Sequence, residues 1–165
     1  MKVTLNSYEL WQAAQVGLVR AYDSYIKNNK DIWFENRTWA AMVAVNVQGA
    51  IGEVAVAKAL NLFFNGSFGV YKLSPDLSTK DIKIEVRHSG EKKETCSVRE
   101  GDDPESVIIF STGGGPDIEI LGWIYAGKAK TDAHKKTKAN GETWYAFPIG
   151  DLVNIETLIK IIRGR

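Results

Sequence analysis

The stretch Ser74–Ser89, SPDLSTKDIKIEVRHS, decides how the centre of the chain folds. From Lys80 to His88 polar and apolar residues alternate, which predicts a β-strand with one face in the core. The apolar face consists of Ile82, Ile84 and Val86, and the opposite face of Lys83, Glu85 and Arg87. We expect the apolar face to pack beneath helices and the charged face to line a groove.

The groove is a candidate metal site. Asp76 precedes the strand, and a hairpin can bring its carboxylate within a few ångströms of Glu85. Two such oxygen ligands suit a hard cation, Mg²⁺ or Mn²⁺. The backbone carbonyl of Val86 is a third candidate ligand, and Glu53 is a fourth, either directly or through water.

A metal held there would polarise a phosphodiester oxygen and lower the pKa of a bound water. Arg87 stands beside it in the sequence. Its guanidinium cannot act as a base at neutral pH, so its expected role is to bind phosphate and stabilise developing negative charge.

Two helices are predicted before the strand. Asn6 and Glu9 have the spacing of a capping box and open a helix over 6–29. Its apolar residues recur at three- to four-residue spacing, which indicates an amphipathic helix. They are Leu10, Ala14, Leu18, Tyr22 and Tyr25.

The second helix spans about 36–62, and Glu53 is the only charge on one of its faces. The other residues of that face are small or polar: Asn46, Gly49, Ala50 and Ala57. A carboxylate on such a face is rarely buried without a partner. A salt bridge to a Lys or Arg and support of a metal are both open as the role of Glu53.

Further strands are predicted downstream, followed by a closing helix through Ile162 that Asp151 or Asn154 caps. The predicted strands are 68–74, 95–98, 106–111, 118–126 and 144–149. The order predicts an α+β fold in which helices flank a mixed central sheet. We interpret the 165 residues as one domain, with an N-terminal helix (1–35), a core (36–126) and a closing part (127–165) made of a basic loop, a strand and a helix.

The composition is that of a soluble globular protein, with 44% hydrophobic and 25% charged residues. No run approaches the roughly 18 apolar residues that cross a bilayer, so we expect no membrane partner and a cytoplasmic location. Cys96 is the only cysteine, which excludes an internal disulfide.

Pro75-Asp76 and Glu85-Val86-Arg87, preceded by Gly52-Glu53 on a long helix, resemble the PD-(D/E)XK nuclease superfamily over about residues 45–125. The resemblance implies a restriction-endonuclease-like αβββαβ core, an α/β sandwich. It implies that Asp76 and Glu85 bind the metal, that Glu53 supports it and that the third motif position assists catalysis. The small phage proteins and resolvases of that superfamily are the nearest in pattern, and a phage-encoded chain would work in the host cytoplasm.

One residue departs from the pattern, because Arg87 stands where the superfamily has lysine. Arginine does not lose its proton, so a mechanism that needs a neutral amine at this position fails. Asp81-Ile82-Lys83 offers a rival motif, but only four residues separate it from Asp76. The sequence predicts a Mg²⁺-dependent endonuclease; the alternatives are a nuclease fold that binds nucleic acid or a protein without cutting, and a scaffold with no nucleic-acid contact.

Nucleic acid, and DNA in particular, is the expected partner, although the net charge of +1 does not by itself indicate one. Six lysines are candidate phosphate contacts if the basic loop borders the groove, and otherwise form a solvated surface. They are Lys83, Lys128, Lys130, Lys135, Lys136 and Lys138. A homodimer would supply a second active site, so that two strands can be cut.

Overall fold

A computed structural model describes residues 1–26, 38–66 and 74–164. The helices are α1 (Ser7–Ile26), α2 (Trp39–Leu60), α3 (Ala126–Ala129) and α4 (Ile155–Arg163). The strands are β1 (Lys2–Thr4), β2 (Leu77–Ser78), β3 (Lys83–Ser89), β4 (Thr95–Arg99), β5 (Val107–Thr112), β6 (Asp117–Tyr125), β7 (Lys135–Thr137) and β8 (Thr143–Pro148). The α+β class is confirmed. The strand predicted over 68–74 lies outside the described residues, apart from Ser74.

The main sheet has five strands in the order β1-β6-β5-β3-β2. It is mixed, as predicted, because β3 and β5 are parallel and the other neighbours are antiparallel. A second sheet of three antiparallel strands, β4-β8-β7, was not predicted. The connection from β3 to β5 runs through β4, whereas the superfamily resemblance implies a helix at that point.

The two faces of the main sheet bury separate cores. Ile84 and Val86 of β3 pack with α2 in the larger core, as the alternation predicts. Ile108 and Phe110 of β5 point to the other face, into a smaller core shared with the second sheet. The parallel register pairs Glu85 with Ile108 and Arg87 with Phe110, which places Glu85 and Arg87 on that second face as well.

The predicted helix caps are confirmed. Asn6 Oδ1 accepts from the backbone N–H of Glu9 at 2.9 Å, and the Glu9 carboxylate accepts from the N–H of Asn6 at 2.7 Å. The side chain of Asn154 accepts from the N–H of Glu156 and caps α4. Asn61 ends α2 in the left-handed region, with φ of 54°.

The buried face of α1 differs from the amphipathic face that the sequence indicates. Its buried residues are Ala13, Gly17 and Ala21. Leu18, Tyr22 and Tyr25 are exposed instead. The physical reason is the closeness of α2, since an added Cβ at Gly17 would lie 2.5 Å from the backbone nitrogen of Val47, and only small side chains fit that contact.

By length and composition alone helix α2 could cross a membrane, and the absence of a membrane partner stays a prediction. Its most apolar window has a mean hydropathy of 1.5, and 44% of that window is buried inside the protein. The core helix of a soluble protein passes the same test. The mean hydropathy of α2 is high because this helix packs against both α1 and the main sheet. The same window contains a buried charged residue, Glu53.

The segment predicted as a basic loop contains two short elements, α3 and β7. Both were missed because they are short and their sequences, AGKA and KKT, show no periodic burial pattern. The N-terminal strand β1 was missed for the same reason.

We expect Gly17→Ala to lower the free energy of unfolding by about 1 to 3 kcal/mol, because the new methyl group collides with the α2 backbone. Gly49→Ala is the matched control, since a Cβ there meets nothing within 4 Å. Alanine in a helix interior is favoured over glycine, so this control should gain up to about 1 kcal/mol. Urea unfolding measures both, and equal effects of the two substitutions would contradict the packing described.

Candidate active site

The predicted site residues meet in one cleft of about 620 Å³. Glu53, Asp76, Glu85, Val86 and Arg87 all line it. Residues of α1, α2, β3, β4, β5 and β6 line it, so the cleft joins six helices and strands that are spread along the chain.

Asp76 is fixed at the edge of β3. Strand β2 has two residues and pairs only with Lys83 and Ile84. Beyond Ile84, no strand within residues 1–26, 38–66 and 74–164 pairs with that edge of β3, and the N–H of Val86 donates to Asp76 Oδ2 at 2.8 Å. A strand residue directs its N–H and C=O to the same edge, so the carbonyl of Val86 also faces the side where Asp76 lies.

Arg87 is held between two carboxylates. Its Nη2 donates to Asp102 Oδ1 at 2.7 Å, and its Nη1 donates to Glu85 Oε2 at 3.3 Å. Asp102 is itself held, because its Oδ2 accepts from the backbone N–H of Arg99 at 2.8 Å. Lys130 donates to the carbonyl of Asp102 at 2.5 Å and so fixes the loop that carries this carboxylate.

One donor of Arg87 has no acceptor. Its Nε is buried and lacks a hydrogen-bond partner among the described residues. A buried N–H without an acceptor costs about 1 to 3 kcal/mol, so such groups are rare in folded proteins. Arg87 as a residue lines the cleft, so this buried donor lies close to where a ligand would bind.

Glu53 is paired with Arg20 of α1, the salt bridge that the sequence left open as one of its two roles. Nη1 and Nη2 of Arg20 bind the two carboxylate oxygens at 2.5 and 2.8 Å. Glu53 is 5% exposed, so this bidentate pair lies in the interior. Because both carboxylate oxygens accept from Arg20, Glu53 is not a direct metal ligand in this arrangement. Its predicted supporting role at a metal would have to be indirect.

The carboxylates of the cleft disturb one another. Burial, together with the nearby Asp76 and Glu85, raises the pKa of Glu53 to about 7 in spite of Arg20. Burial and the charge of Asp76 also raise the pKa of Glu85. Burial lowers the pKa of Arg87, but Asp102, Glu85 and Asp76 outweigh it and raise that pKa overall.

Acids and bases are nearly balanced in the cleft. Four carboxylates, those of Glu53, Asp76, Glu85 and Asp102, interact with the guanidinium groups of Arg20 and Arg87. Over all the lining residues, five acids (Asp23, Glu53, Asp76, Glu85 and Glu91) and four bases (Arg20, Arg87, Lys93 and Arg99) leave an excess of one negative charge when all are ionised.

Asp76 and Glu85 fit a magnesium site by their chemistry, and the Val86 carbonyl adds a third oxygen. Within 1–26, 38–66 and 74–164, no group of three or more His, Cys, Asp or Glu side chains is placed to hold a metal. Magnesium keeps several waters and commonly binds one or two carboxylates together with substrate phosphate, so two carboxylates satisfy its usual requirement.

The six predicted lysines do not line the cleft. Lys83 pairs with Asp103, Lys138 pairs with Glu142, and Lys130 binds loop carbonyls. Lys128, Lys135 and Lys136 are exposed. Their contact with nucleic acid stays a prediction for a surface outside the cleft.

Two other cations do line the cleft, namely Lys93 and Arg99. The sequence signal for Arg99 is the alternation in β4, which buries Cys96 and Val98 and exposes Thr95, Ser97 and Arg99. That signal was not used because the partner strand β8 lies far along the chain. Asp102 and Arg20 were missed for a similar reason, since nothing local links them to Arg87 or Glu53.

His88, near the end of β3, is a packed histidine. Its Nε2 lies 2.9 Å from the carbonyl oxygen of Gly113, and its Nδ1 lies 3.0 Å from Ser111 Oγ. A carbonyl can only accept, so Nε2 donates and Nδ1 accepts from the serine hydroxyl. Burial lowers the pKa of His88, which keeps the ring neutral.

We expect Arg20→Gln to lower the free energy of unfolding by about 3 kcal/mol at about pH 8, because it leaves the buried carboxylate of Glu53 unpaired. Glu53 has a raised pKa in the folded protein, so it holds a proton more tightly there than in the unfolded chain. Its contribution to stability is complete at pH values below its ordinary pKa of 4.5 and is lost as the pH rises through about 7. Removal of Arg20 raises this pKa further, so the loss should shrink at about pH 5.

The control is Arg20→Gln combined with Glu53→Gln, which removes both charges. Its loss should be smaller and nearly constant with pH. Urea unfolding between about pH 5 and pH 8 compares the two proteins, and a pH-independent loss in the single variant would contradict the buried pair.

Comparison of the chain with protein-family models, with curated proteins and with solved structures gives no match. The likeness to the PD-(D/E)XK superfamily therefore depends on the motif residues and on their geometry in the cleft.

Proposed function

We propose that this protein is a metal-dependent nuclease that hydrolyses phosphodiester bonds, with DNA as its substrate. The observation that supports this best is the convergence of Asp76, Glu85 and Arg87 in one cleft. The two carboxylates would suit a divalent cation, which commonly binds one or two carboxylates together with substrate phosphate.

Asp76 and Glu85 would hold the cation, with the carbonyl of Val86 as a third ligand. Bound there, Mg²⁺ or Mn²⁺ supplies a polarised phosphate oxygen and a water of lowered pKa. The hydrogen bond from the Val86 N–H orients Asp76, and the Arg20 pair holds Glu53 beside the site. The proposal gives neither Asp76 nor Glu85 a covalent role.

Arg87 would bind the scissile phosphate. Its Nε is buried, and Asp102 and Glu85 hold its terminal nitrogens, so in this role the guanidinium would turn towards the cleft when the phosphate binds. The surrounding carboxylates keep Arg87 charged, so it stabilises developing negative charge and does not remove a proton.

We also propose that α2, β2, β3 and β5 correspond to a restriction-endonuclease-like core. The order of a long helix, a short hairpin and a parallel strand supports this. The chain differs from such a core in one respect, because the connection from β3 to β5 contains strand β4 where the resemblance implies a helix.

We expect Asp76→Asn and Glu85→Gln each to lower Mg²⁺-dependent cleavage of supercoiled plasmid by about 100-fold or more. Even outer-shell partners of a metal contribute 10- to 100-fold, and these residues are direct ligands in the proposal. Both substitutions conserve shape, and the amide that replaces the Asp76 carboxylate retains an oxygen that can accept from the Val86 N–H.

Asp103→Asn is the matched control, because Asp103 is a half-exposed carboxylate that pairs with Lys83. Its cleavage rate should stay within a few-fold of the native rate. Full activity in Asp76→Asn and Glu85→Gln, with folding confirmed by circular dichroism, would refute the assignment.

A nuclease fold that binds nucleic acid without cutting is the second candidate. Arg87 favours this candidate, because it replaces the lysine of the superfamily and cannot lose its proton to act as a base. Its guanidinium is also held by a hydrogen bond to Asp102. Salt-sensitive DNA binding in the absence of any metal-dependent product would select it.

In either case Lys93 and Arg99 are the expected phosphate contacts. The double variant Lys93→Ala and Arg99→Ala should weaken DNA binding and reduce the slope of log K against log salt by roughly 2, since each phosphate contact contributes about 0.9. Lys128→Ala with Lys136→Ala is the control with the same charge change. A larger effect in the control, measured by fluorescence anisotropy, would place the nucleic acid on the basic surface outside the cleft.

A further inference from the structure

Helix α1 presents an apolar seam to solvent. Its residues alternate at spacings of three and four, and all are exposed: Tyr8, Trp11, Gln15, Leu18, Tyr22 and Tyr25. The seam lies about a third of a turn away from the buried face of α1, which consists of Ala13, Gly17 and Ala21. A surface helix normally carries polar residues on that outer side, so this seam needs an explanation.

The seam has the pattern of a coiled-coil interface. Spacings of three and four are those of the a and d positions of a heptad. They are also symmetrical, because the positions form three pairs about the middle of the helix: Tyr8 with Tyr25, Trp11 with Tyr22, and Gln15 with Leu18. Two copies of α1 that pack antiparallel about a two-fold axis would bring the members of each pair together.

The seam and its neighbours offer enough area for a stable dimer. Val19, Ile26 and Trp39 extend the apolar surface, and the exposed fractions of the apolar residues run from 38% at Val19 to 78% at Tyr8. With about 150 to 250 Å² for an aromatic side chain, this amounts to roughly 800 Å². A standard interface buries about 800 Å² on each partner.

The charges of α1 favour a second copy over other partners. The seam has no charged residue, and the charges beside it are engaged elsewhere: Arg20 binds Glu53, Glu9 binds Lys58, and Asp23 lines the cleft. Binding to nucleic acid requires cations, and a helix that lies on a membrane is typically rich in Lys and Arg. An uncharged seam can face a copy of itself without repulsion.

We propose that the chain forms a homodimer in which the seam of α1 packs antiparallel against the same seam of a second copy. The interface is isologous, and its two-fold axis passes between Gln15 and Leu18. Gln15 is the one polar member and lies opposite Leu18 of the other copy, where a polar residue helps to define the register. The cleft lies on another side of α1, so both clefts stay open in this dimer.

Sedimentation equilibrium of the native chain at about 100 μM should give twice the monomer mass of 18.3 kDa. Leu18→Glu with Tyr22→Glu should give the monomer mass, because the interface would then bury two carboxylates from each copy against Gln15 and Trp11 of the other copy without a cation to pair with. Val153→Glu is the control, since Val153 is an exposed apolar residue of another segment, and it should stay dimeric. A native chain that is monomeric at this concentration would overturn the proposal.

A cross-linking test covers the case in which the glutamate variant fails to fold. Cys96 is buried, so a single introduced cysteine is the reactive thiol. A mixture of Gln15→Cys and Leu18→Cys chains should form a disulfide-linked dimer at least about tenfold faster than a mixture of Gln15→Cys and Tyr8→Cys. Equal rates in the two mixtures would overturn the antiparallel register.

Discussion

The candidate site depends on one constraint, the short length of β2. Because β2 pairs with only two residues of β3, the next N–H and carbonyl on that edge have no strand partner in the described part of the chain. Asp76 satisfies the N–H of Val86 and is thereby placed beside β3. A longer β2 would close this edge, and Asp76 would have neither its hydrogen bond nor its position in the cleft.

The charges around that edge are costly unless something balances them. Glu53, Asp76, Glu85 and Asp102 outnumber the two arginines, and burial raises the pKa values of Glu53 and Glu85. Protein interiors seldom retain like charges this close without a functional reason, and perturbed carboxylates in a cleft are typical of active sites. The same acidity explains why Arg20 and Arg87 are both held by carboxylates.

Local periodicity predicted the central part of the fold. The alternation from Lys80 to His88 gave the strand and its two faces, and the long apolar segment gave α2. Partners that come from distant parts of the chain could not be predicted this way. Arg20 lies 33 residues from Glu53, and no local signal shows that α1 brings it there.

The face of α1 was misjudged for a physical reason that periodicity cannot reveal. Large apolar residues usually mark the buried face of a helix, but α1 approaches α2 so closely that only small residues fit between them. Its large residues therefore face outward. The second sheet was missed because β4 and β8 pair across a long sequence separation.

The most direct test of the central claim is anomalous diffraction from a crystal soaked with Mn²⁺. The account predicts a peak in the cleft that contacts one carboxylate oxygen each of Asp76 and Glu85, and that disappears in Asp76→Asn. A peak elsewhere on the protein, or no peak in a crystal that leaves the cleft open, would contradict a metal centre at the open edge of β3.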